Sequence, residues 1–209
     1  MDHRLVAWGR AVKSRNRHGG LPPLWLFTDA VRLADPCAAV ARLPRGLCGV
    51  VFRDDGRVDR AALGLRLAAI CRDRRLVLVV AGDWRLAARL GAGLHLRGGC
   101  RPAGASRLVP TVTSSAHDVG EMRRAMRAGA LLVFLSPAFP TASHPGAAGL
   151  GAVRWAGMAR LAGGRVAALG GVDGGSIRRL PWPVCRGAGA IGALVSYRCN
   201  SNATVFRKG

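Results

Sequence analysis

Eight short apolar runs recur along the chain, and this repetition constrains the fold more than any other feature of the sequence. The runs are Leu24–Thr28, Gly49–Arg53, Leu76–Ala81, Gly93–Leu96, Leu108–Thr113, Leu131–Ser136, Arg165–Gly170 and Ala190–Leu194. Several are apolar at successive positions, which is typical of parallel strands whose sheet is covered on both faces. The repetition therefore predicts parallel β-strands that are joined by crossover connections.

Segments with helical spacing separate these runs. In Ala61–Arg75, for example, Leu63, Leu67 and Ile70 recur at three- and four-residue steps, and His117–Ala128 has a similar pattern. Strands that alternate with helices can form a closed (β/α)8 barrel or an open doubly wound sheet. The strand count favours a compact single-domain (β/α)8 TIM barrel, and no G-x-G-x-x-G follows the first strand to indicate a dinucleotide-binding sheet.

The barrel is predicted to span residues 21–196 of the 209 in the chain. Residues 1–20 have mixed polarity and end in Gly19-Gly20, which predicts a flexible basic leader, and residues 197–209 are predicted to form a C-terminal tail. The leader lacks the apolar core of a secretory signal, and no apolar run approaches the roughly 18–20 residues of a membrane span. We therefore expect a cytoplasmic protein that does not interact with a membrane.

The chain is strongly basic, with a formal net charge of +21. A nucleic-acid-binding protein usually concentrates such charge on one face and adds aromatic side chains for stacking. Here the arginines are spread over nearly every segment and aromatic residues make up only 5% of the chain, so nucleic acid is not an expected partner. The positive field instead favours phosphorylated small molecules. The six cysteines form no C-x-x-C pair, so neither a structural zinc site nor a disulfide scaffold is expected.

In a parallel barrel the functional side chains lie at the carboxyl ends of the strands. The polar residues predicted there include Arg53, His95, His117 and the segment Ser136–His144. The histidines can either transfer protons or simply form hydrogen bonds at strand ends.

Two glycines, Gly170 and Gly171, end the seventh predicted strand. Glycine lets backbone N–H groups approach an anion closely, and a helix predicted to begin near Asp173 would direct its positive dipole end toward the same place. The pair therefore indicates either a phosphate site or a tight turn in a glycine-rich chain.

The order of several segments carries a family resemblance. These segments are Leu26-Phe27-Thr28-Asp29, Val51-Phe52-Arg53, Leu86–Leu96, Ser115-Ala116-His117 with Glu121, Ser136–Thr141, Ala168–Val172 and Gly187–Ile191. Together they resemble the thiamine-phosphate synthase / thiazole tautomerase superfamily from about residue 21 to residue 195. The resemblance implies a (β/α)8 barrel in thiamine biosynthesis. The synthase of this superfamily joins hydroxymethylpyrimidine diphosphate to thiazole phosphate and releases pyrophosphate with the help of Mg²⁺.

The resemblance also assigns roles by position. It implies that Arg53 contacts the pyrophosphate or the pyrimidine, and that the thiazole-phosphate and substrate contacts come from Ser115, Thr141, Ser143, Gly170, Gly171, Ala193 and Leu194. The chain departs from the family pattern at the two metal-binding aspartates, which are Gly82 and Cys100 here, and at a lysine, which is His144. The metal ligands are therefore unknown, although Asp54, Asp55 and Asp83 lie nearby in the sequence.

Three interpretations remain open. The leading one is a synthase-like transferase that acts on phosphorylated thiamine precursors, with Mg²⁺ as its cofactor if it is active. The second is a catalytically reduced barrel that binds a thiazole or thiamine phosphate without converting it. The third is a metal-independent proton-transfer enzyme of the tautomerase type in which His144 is catalytic.

Overall fold

A computed structural model describes residues 1–15, 20–105, 109–141, 146, 148–163, 165–182 and 184–195. Its eight strands are β1 (Leu24–Phe27), β2 (Cys48–Phe52), β3 (Val77–Ala81), β4 (Gly93–Leu96), β5 (Val112–Ala116), β6 (Leu132–Leu135), β7 (Val166–Leu169) and β8 (Cys185–Ala190). Each strand pairs in parallel with its sequence neighbours, and the sheet closes where Leu24 of β1 pairs with Ala188 of β8. The predicted (β/α)8 barrel is confirmed.

Helices cover the outside of the barrel. They are α1 (His3–Arg15), α2 (Pro36–Ala41), α3 (Arg60–Asp73), α4 (Trp84–Leu90), α5 (Val119–Arg127), α6 (Gly151–Arg160) and α7 (Gly192–Val195), with a 3₁₀ helix at Ser176–Arg179. Within the described ranges, no helix combines the length and the hydropathy that crossing a membrane requires.

The strands are apolar on both faces because each face packs in a separate layer. In β1, Leu24 and Leu26 pack against the helices, whereas Trp25 and Phe27 point into the barrel. The barrel is narrow, and a Cβ on Gly189 would lie 2.8 Å from Cε2 of Phe27. Gly189 of β8 therefore makes room for the ring of Phe27 in β1.

Two strands differ from their predicted positions. The run Leu108–Thr113 was expected to be the fifth strand, but β5 begins only at Val112 and continues through Ser114 and Ser115. The hydroxyl of Ser114 is buried and accepts a hydrogen bond from the Gly99 N–H at 3.0 Å, which compensates for its polarity. A search for apolar runs misses such a strand, and Leu108 itself lies outside the described residues.

The last strand also lies earlier than predicted. The run Ala190–Leu194 was expected to be the eighth strand, whereas the strand is Cys185–Ala190 and residues 192–195 form α7. The sequence of β8 is poor in large apolar side chains because the barrel interior has little space beside Phe27. Apolar patterning therefore places this strand too late.

The segment 1–20 was expected to be a flexible leader, and the structure corrects this for most of its length. Residues 3–15 form α1, which buries Leu5 and Val12 and contacts β8. Gly9 lets this helix approach the barrel, since a Cβ there would lie 2.7 Å from Cγ of Leu24. The helix α1 therefore covers part of the outer surface of the barrel beside β8.

Asp2 fastens the beginning of α1 to the carboxyl-end rim of the barrel. Its Oδ1 accepts hydrogen bonds from the N–H groups of Arg4 (2.9 Å) and Leu5 (3.2 Å), and its Oδ2 accepts one from the Gly174 N–H at 2.7 Å. Its own N–H donates to the Ala193 carbonyl at 2.7 Å. The carboxylate therefore acts as an N-cap and as a link between α1 and the loop after β7.

We expect Asp2→Ala to lower the free energy of unfolding by about 1–2 kcal/mol, because it removes the cap and the link to Gly174 together. Asp2→Asn keeps an oxygen that can cap the helix and should cause a smaller loss. Urea denaturation of the three proteins measures the difference. Equal stability of wild type and Asp2→Ala would contradict the role assigned to this carboxylate.

Candidate active site

A cleft of about 1900 Å³ opens at the carboxyl ends of the barrel strands. Every strand contributes to its wall, through Phe27, Arg53, Ala81, His95, Ser115, Ser136, Leu169 and Ala190 at or next to the strand ends. Side chains that are distant in the sequence therefore meet in one place, as expected for a parallel barrel.

The structure brings most of the sequence-predicted site residues to this cleft. Those that line it are Arg53, Ser115, Thr141, Gly170, Gly171 and Ala193. Leu194 does not belong to the wall: its side chain is buried and its N–H donates to the Ile191 carbonyl within the turn of α7. Ser143 and His144 lie outside the described residues, so their predicted roles remain predictions.

Arg53 is held at the end of β2 by residues that follow β1. Its Nε donates to the Thr28 carbonyl at 2.8 Å, and its Nη2 donates to Oδ2 of Asp29 at 2.8 Å. Burial alone would raise the pKa of Asp29, but backbone N–H groups and the charges of Arg53 and Arg32 lower it overall. The guanidinium is therefore fixed in orientation, while its side chain remains 39% exposed to the cleft.

Asp54 follows Arg53 in the chain and is one of the three aspartates that the sequence offered near the missing metal ligands. Its side chain is buried, and its Oδ1 accepts a hydrogen bond from the Thr28 hydroxyl at 3.1 Å. Burial raises the pKa of this carboxyl group, although Thr28 and nearby arginines act against the rise. The same Thr28 hydroxyl accepts the Arg53 N–H at 3.0 Å, so Asp54 helps to position the strand end that carries Arg53.

His95 forms part of the floor of the cleft and is only 3% exposed. Its Nδ1 lies 2.9 Å from the Thr113 hydroxyl, and its ring lies edge-on to the ring of Phe27 at 5.6 Å. Burial, reinforced by the charges of Arg97 and Arg53, lowers its pKa to about 3. The imidazole is therefore neutral at physiological pH and offers hydrogen bonding without positive charge.

His117 and Glu121 form a second polar group at the rim, after β5. Oδ1 of Asp118 caps α5 through the Glu121 N–H, and Oε2 of Glu121 accepts from the His117 N–H at 2.8 Å. The same oxygen lies 3.0 Å from Nδ1 of His117. A carboxylate that orients an exposed imidazole in this way is suited to proton transfer. Both residues line the cleft.

Close packing against the loop after β6 requires glycine at both positions of the pair after β7. Gly170 and Gly171 have φ values of +86° and +64°, and a Cβ on Gly171 would collide with the carbonyl oxygen of Pro140. The predicted helix near Asp173 is not present as an α-helix; a 3₁₀ helix begins at Ser176 instead. The glycine pair and this 3₁₀ helix lie where the sequence predicted a phosphate site.

The backbone N–H groups of this loop are already partly occupied. Oδ1 of Asp173 accepts from the N–H groups of Gly175 (2.8 Å) and Ser176 (2.7 Å), and Asp2 accepts from Gly174. Carboxylates of the chain itself therefore bind the N–H groups at the place where the sequence predicted a helix end for a phosphate. The glycine backbone and Ala193 remain on the wall of the cleft.

The described residues do not fit the Mg²⁺ ion that the family resemblance implies. Gly82 and Cys100 offer no carboxylate, and Mg²⁺ requires oxygen ligands. Asp55 is paired with Arg60 and Arg97, and Asp83 caps α4 and pairs with Arg60 at 3.0 Å. Over the part of the chain that the structure describes, no three His, Cys, Asp or Glu side chains are grouped so that they could hold a metal.

The architecture and the cleft define the class of protein as a (β/α)8 barrel with its candidate site at the carboxyl ends of the strands. Residues 28–194 match the family model described as thiamine monophosphate synthase, and the chain belongs to this family. No curated protein matches the sequence.

Several solved structures share the fold. Thiamine phosphate pyrophosphorylase from Pyrococcus furiosus has a TM-score of 0.69 and 20% identity, with 84% of this chain and 88% of that chain covered. Thiamine phosphate pyrophosphorylase from Bacteroides thetaiotaomicron has a TM-score of 0.51 and 17% identity, with coverages of 87% and 89%. An HpcH/HpaI aldolase/citrate lyase family protein from Burkholderia cenocepacia has a TM-score of 0.55 and 16% identity, with coverages of 87% and 92%.

Proposed function

We propose that this protein joins hydroxymethylpyrimidine diphosphate to thiazole phosphate and releases pyrophosphate. The observation that carries the proposal is the convergence of Arg53, Ser115, Thr141 and Gly171 on one cleft in a chain of this family. These residues come from four strand ends, and the family resemblance implied a substrate contact for each of them. The substrates would be phosphorylated small molecules, and the expected location is the cytoplasm.

The reaction breaks the bond between the pyrimidine methylene carbon and a diphosphate oxygen, and forms a bond from that carbon to the thiazole nitrogen. Negative charge increases on the departing diphosphate while the pyrimidine methylene becomes cationic. A fixed guanidinium such as that of Arg53 stabilises the departing anion without having to reorganise. The neutral His95 and the ring of Phe27 form a floor that does not repel the cationic intermediate.

The thiazole phosphate would lie beside Gly170, Gly171 and Ala193, which follow β7 and β8. The backbone can approach a ligand closely at the two glycines because they carry no side chain. The overall charge of +21 raises the local concentration of both anionic substrates.

Binding without catalysis is distinguished from synthase activity by two measurements on the same protein. Thiazole phosphate alone should raise the melting temperature by mass action, and the two substrates together should yield thiamine phosphate. Stabilisation without any product would support the binding-only alternative, and the absence of both effects would contradict the family-derived substrate class. The tautomerase alternative places its catalytic role on His144, outside the described residues.

A further inference from the structure

Arg97 follows β4 at the rim, and its guanidinium group lies against Gly82, which follows β3. A Cβ on Gly82 would lie 3.7 Å from both Cζ and Nη2 of Arg97. The guanidinium therefore fills the space into which any side chain at position 82 would extend. A positive charge lies where the family resemblance implied a metal-binding carboxylate.

A network of ion pairs holds Arg97 in this place. Its Nη2 bonds to Oδ2 of Asp55, and the other oxygen of Asp55 pairs with Nη2 of Arg60 at 3.0 Å. Arg60 is largely buried and also pairs with Asp83 at 3.0 Å and donates to the Ala81 carbonyl at 3.0 Å. Asp55 and Asp83 both form ion pairs with arginines, so they are poorly placed to bind a cation. The same ion pairs orient Arg97.

Arg97 and Arg53 act on the same part of the cleft. Both line the cleft wall, and the charges of both contribute to the lowered pKa of His95 on its floor. Their side chains are 58% and 39% exposed, so part of each guanidinium faces the open cleft. Arg53 pairs with Asp29 and Arg97 pairs with Asp55, and both guanidinium groups also line the cleft. Two guanidinium groups in one cleft wall repel a divalent cation and attract an anion with several oxygens.

We propose that Arg97 and Arg53 bind the diphosphate group directly, so that this site holds a diphosphate anion without a divalent metal ion. A guanidinium presents several N–H groups in a planar fork that matches the oxygens of a phosphate. The identity of the diphosphate as part of a pyrimidine substrate rests on the proposed function, but the binding of a diphosphate anion does not.

Titration calorimetry with inorganic pyrophosphate tests this binding directly. The protein is titrated in EDTA and again in Mg²⁺. We expect saturable binding in EDTA that Mg²⁺ does not strengthen. Arg97→Gln should weaken the binding at least about tenfold, as should Arg53→Gln, because each loses a charge-assisted hydrogen bond to the anion. Both glutamine variants keep polar groups for their neighbours, and their melting temperatures report whether they fold.

The matched control is Arg89→Gln, which removes the same charge from an exposed position in the last turn of α4 and should leave pyrophosphate binding unchanged. Binding only in the presence of Mg²⁺, or equal affinity of Arg97→Gln and wild type, would overturn the inference. If pyrophosphate binds in EDTA but the two substrates give no product, the proposed function fails while this inference stands. If product forms but pyrophosphate does not bind in EDTA, the inference fails alone.

Discussion

Arg53→Ala should lower kcat/KM for thiamine phosphate formation by about 10²–10³-fold, the range typical of removing one preorganised group that stabilises transition-state charge. The guanidinium is fixed by the Thr28 carbonyl and by Asp29, so it is in position before the diphosphate begins to leave. Initial rates at several substrate concentrations measure the effect. Loss of an interaction made mainly in the transition state should appear in kcat as well as in kcat/KM.

Arg57→Ala is the matched control for this experiment. Arg57 lies in the same loop, but it pairs with Asp59 at 2.8 Å and does not line the large cleft. Its removal should leave the rate close to that of the wild type, because Arg57 does not contact the substrate site. Any effect of the lost charge on the general field is present in both variants and can be subtracted. Equal rates for Arg53→Ala and wild type would contradict the catalytic role of Arg53.

The free energy of unfolding should fall steeply as the pH is lowered from about 6.5, because of His95. The folded protein holds the pKa of this buried imidazole at about 3, whereas an unfolded histidine titrates near 6.5. Between these values the unfolded state binds the extra proton, so stability is fully present above about pH 6.5 and is lost toward pH 3. At pH 4.5, two pH units below the pKa of the unfolded histidine, the loss is about 3 kcal/mol.

Urea denaturation at several pH values separates this effect from others. His95→Gln removes the titrating group, so the variant should lack the His95 part of the pH dependence whatever its stability at pH 7. The same pH dependence in His95→Gln and wild type would show that another group causes it.

The sequence predicted the barrel well because both faces of its strands are buried, so most strands appear as apolar runs. It predicted β5 and β8 less well, because these strands are not continuous runs of large apolar residues. In β5 the Ser114 hydroxyl forms its hydrogen bond within the fold, and in β8 Gly189 makes room for Phe27. The amphipathic pattern of α1 was too weak to outweigh its basic composition. Its burial depends on Gly9 approaching Leu24, a contact that only the assembled barrel creates.

The candidate site was predictable where a residue directly follows a strand. Arg53 and Ser115 were found in this way, and both line the cleft. The network of Asp55, Arg60 and Arg97 was not predictable, because it joins the ends of different strands and depends on side-chain directions. The glycine pair after β7 illustrates a different limit, since its sequence pattern could not show that Asp2 and Asp173 occupy the neighbouring N–H groups.

The reaction that we propose for this cleft joins a pyrimidine diphosphate to a thiazole phosphate. The most direct test incubates the purified protein with both substrates, with Mg²⁺ and separately with EDTA, and measures thiamine phosphate and pyrophosphate together. We expect equal amounts of thiamine phosphate and pyrophosphate, and their loss in the Arg53→Ala variant. If folded protein forms no thiamine phosphate under either condition, the proposed function is wrong.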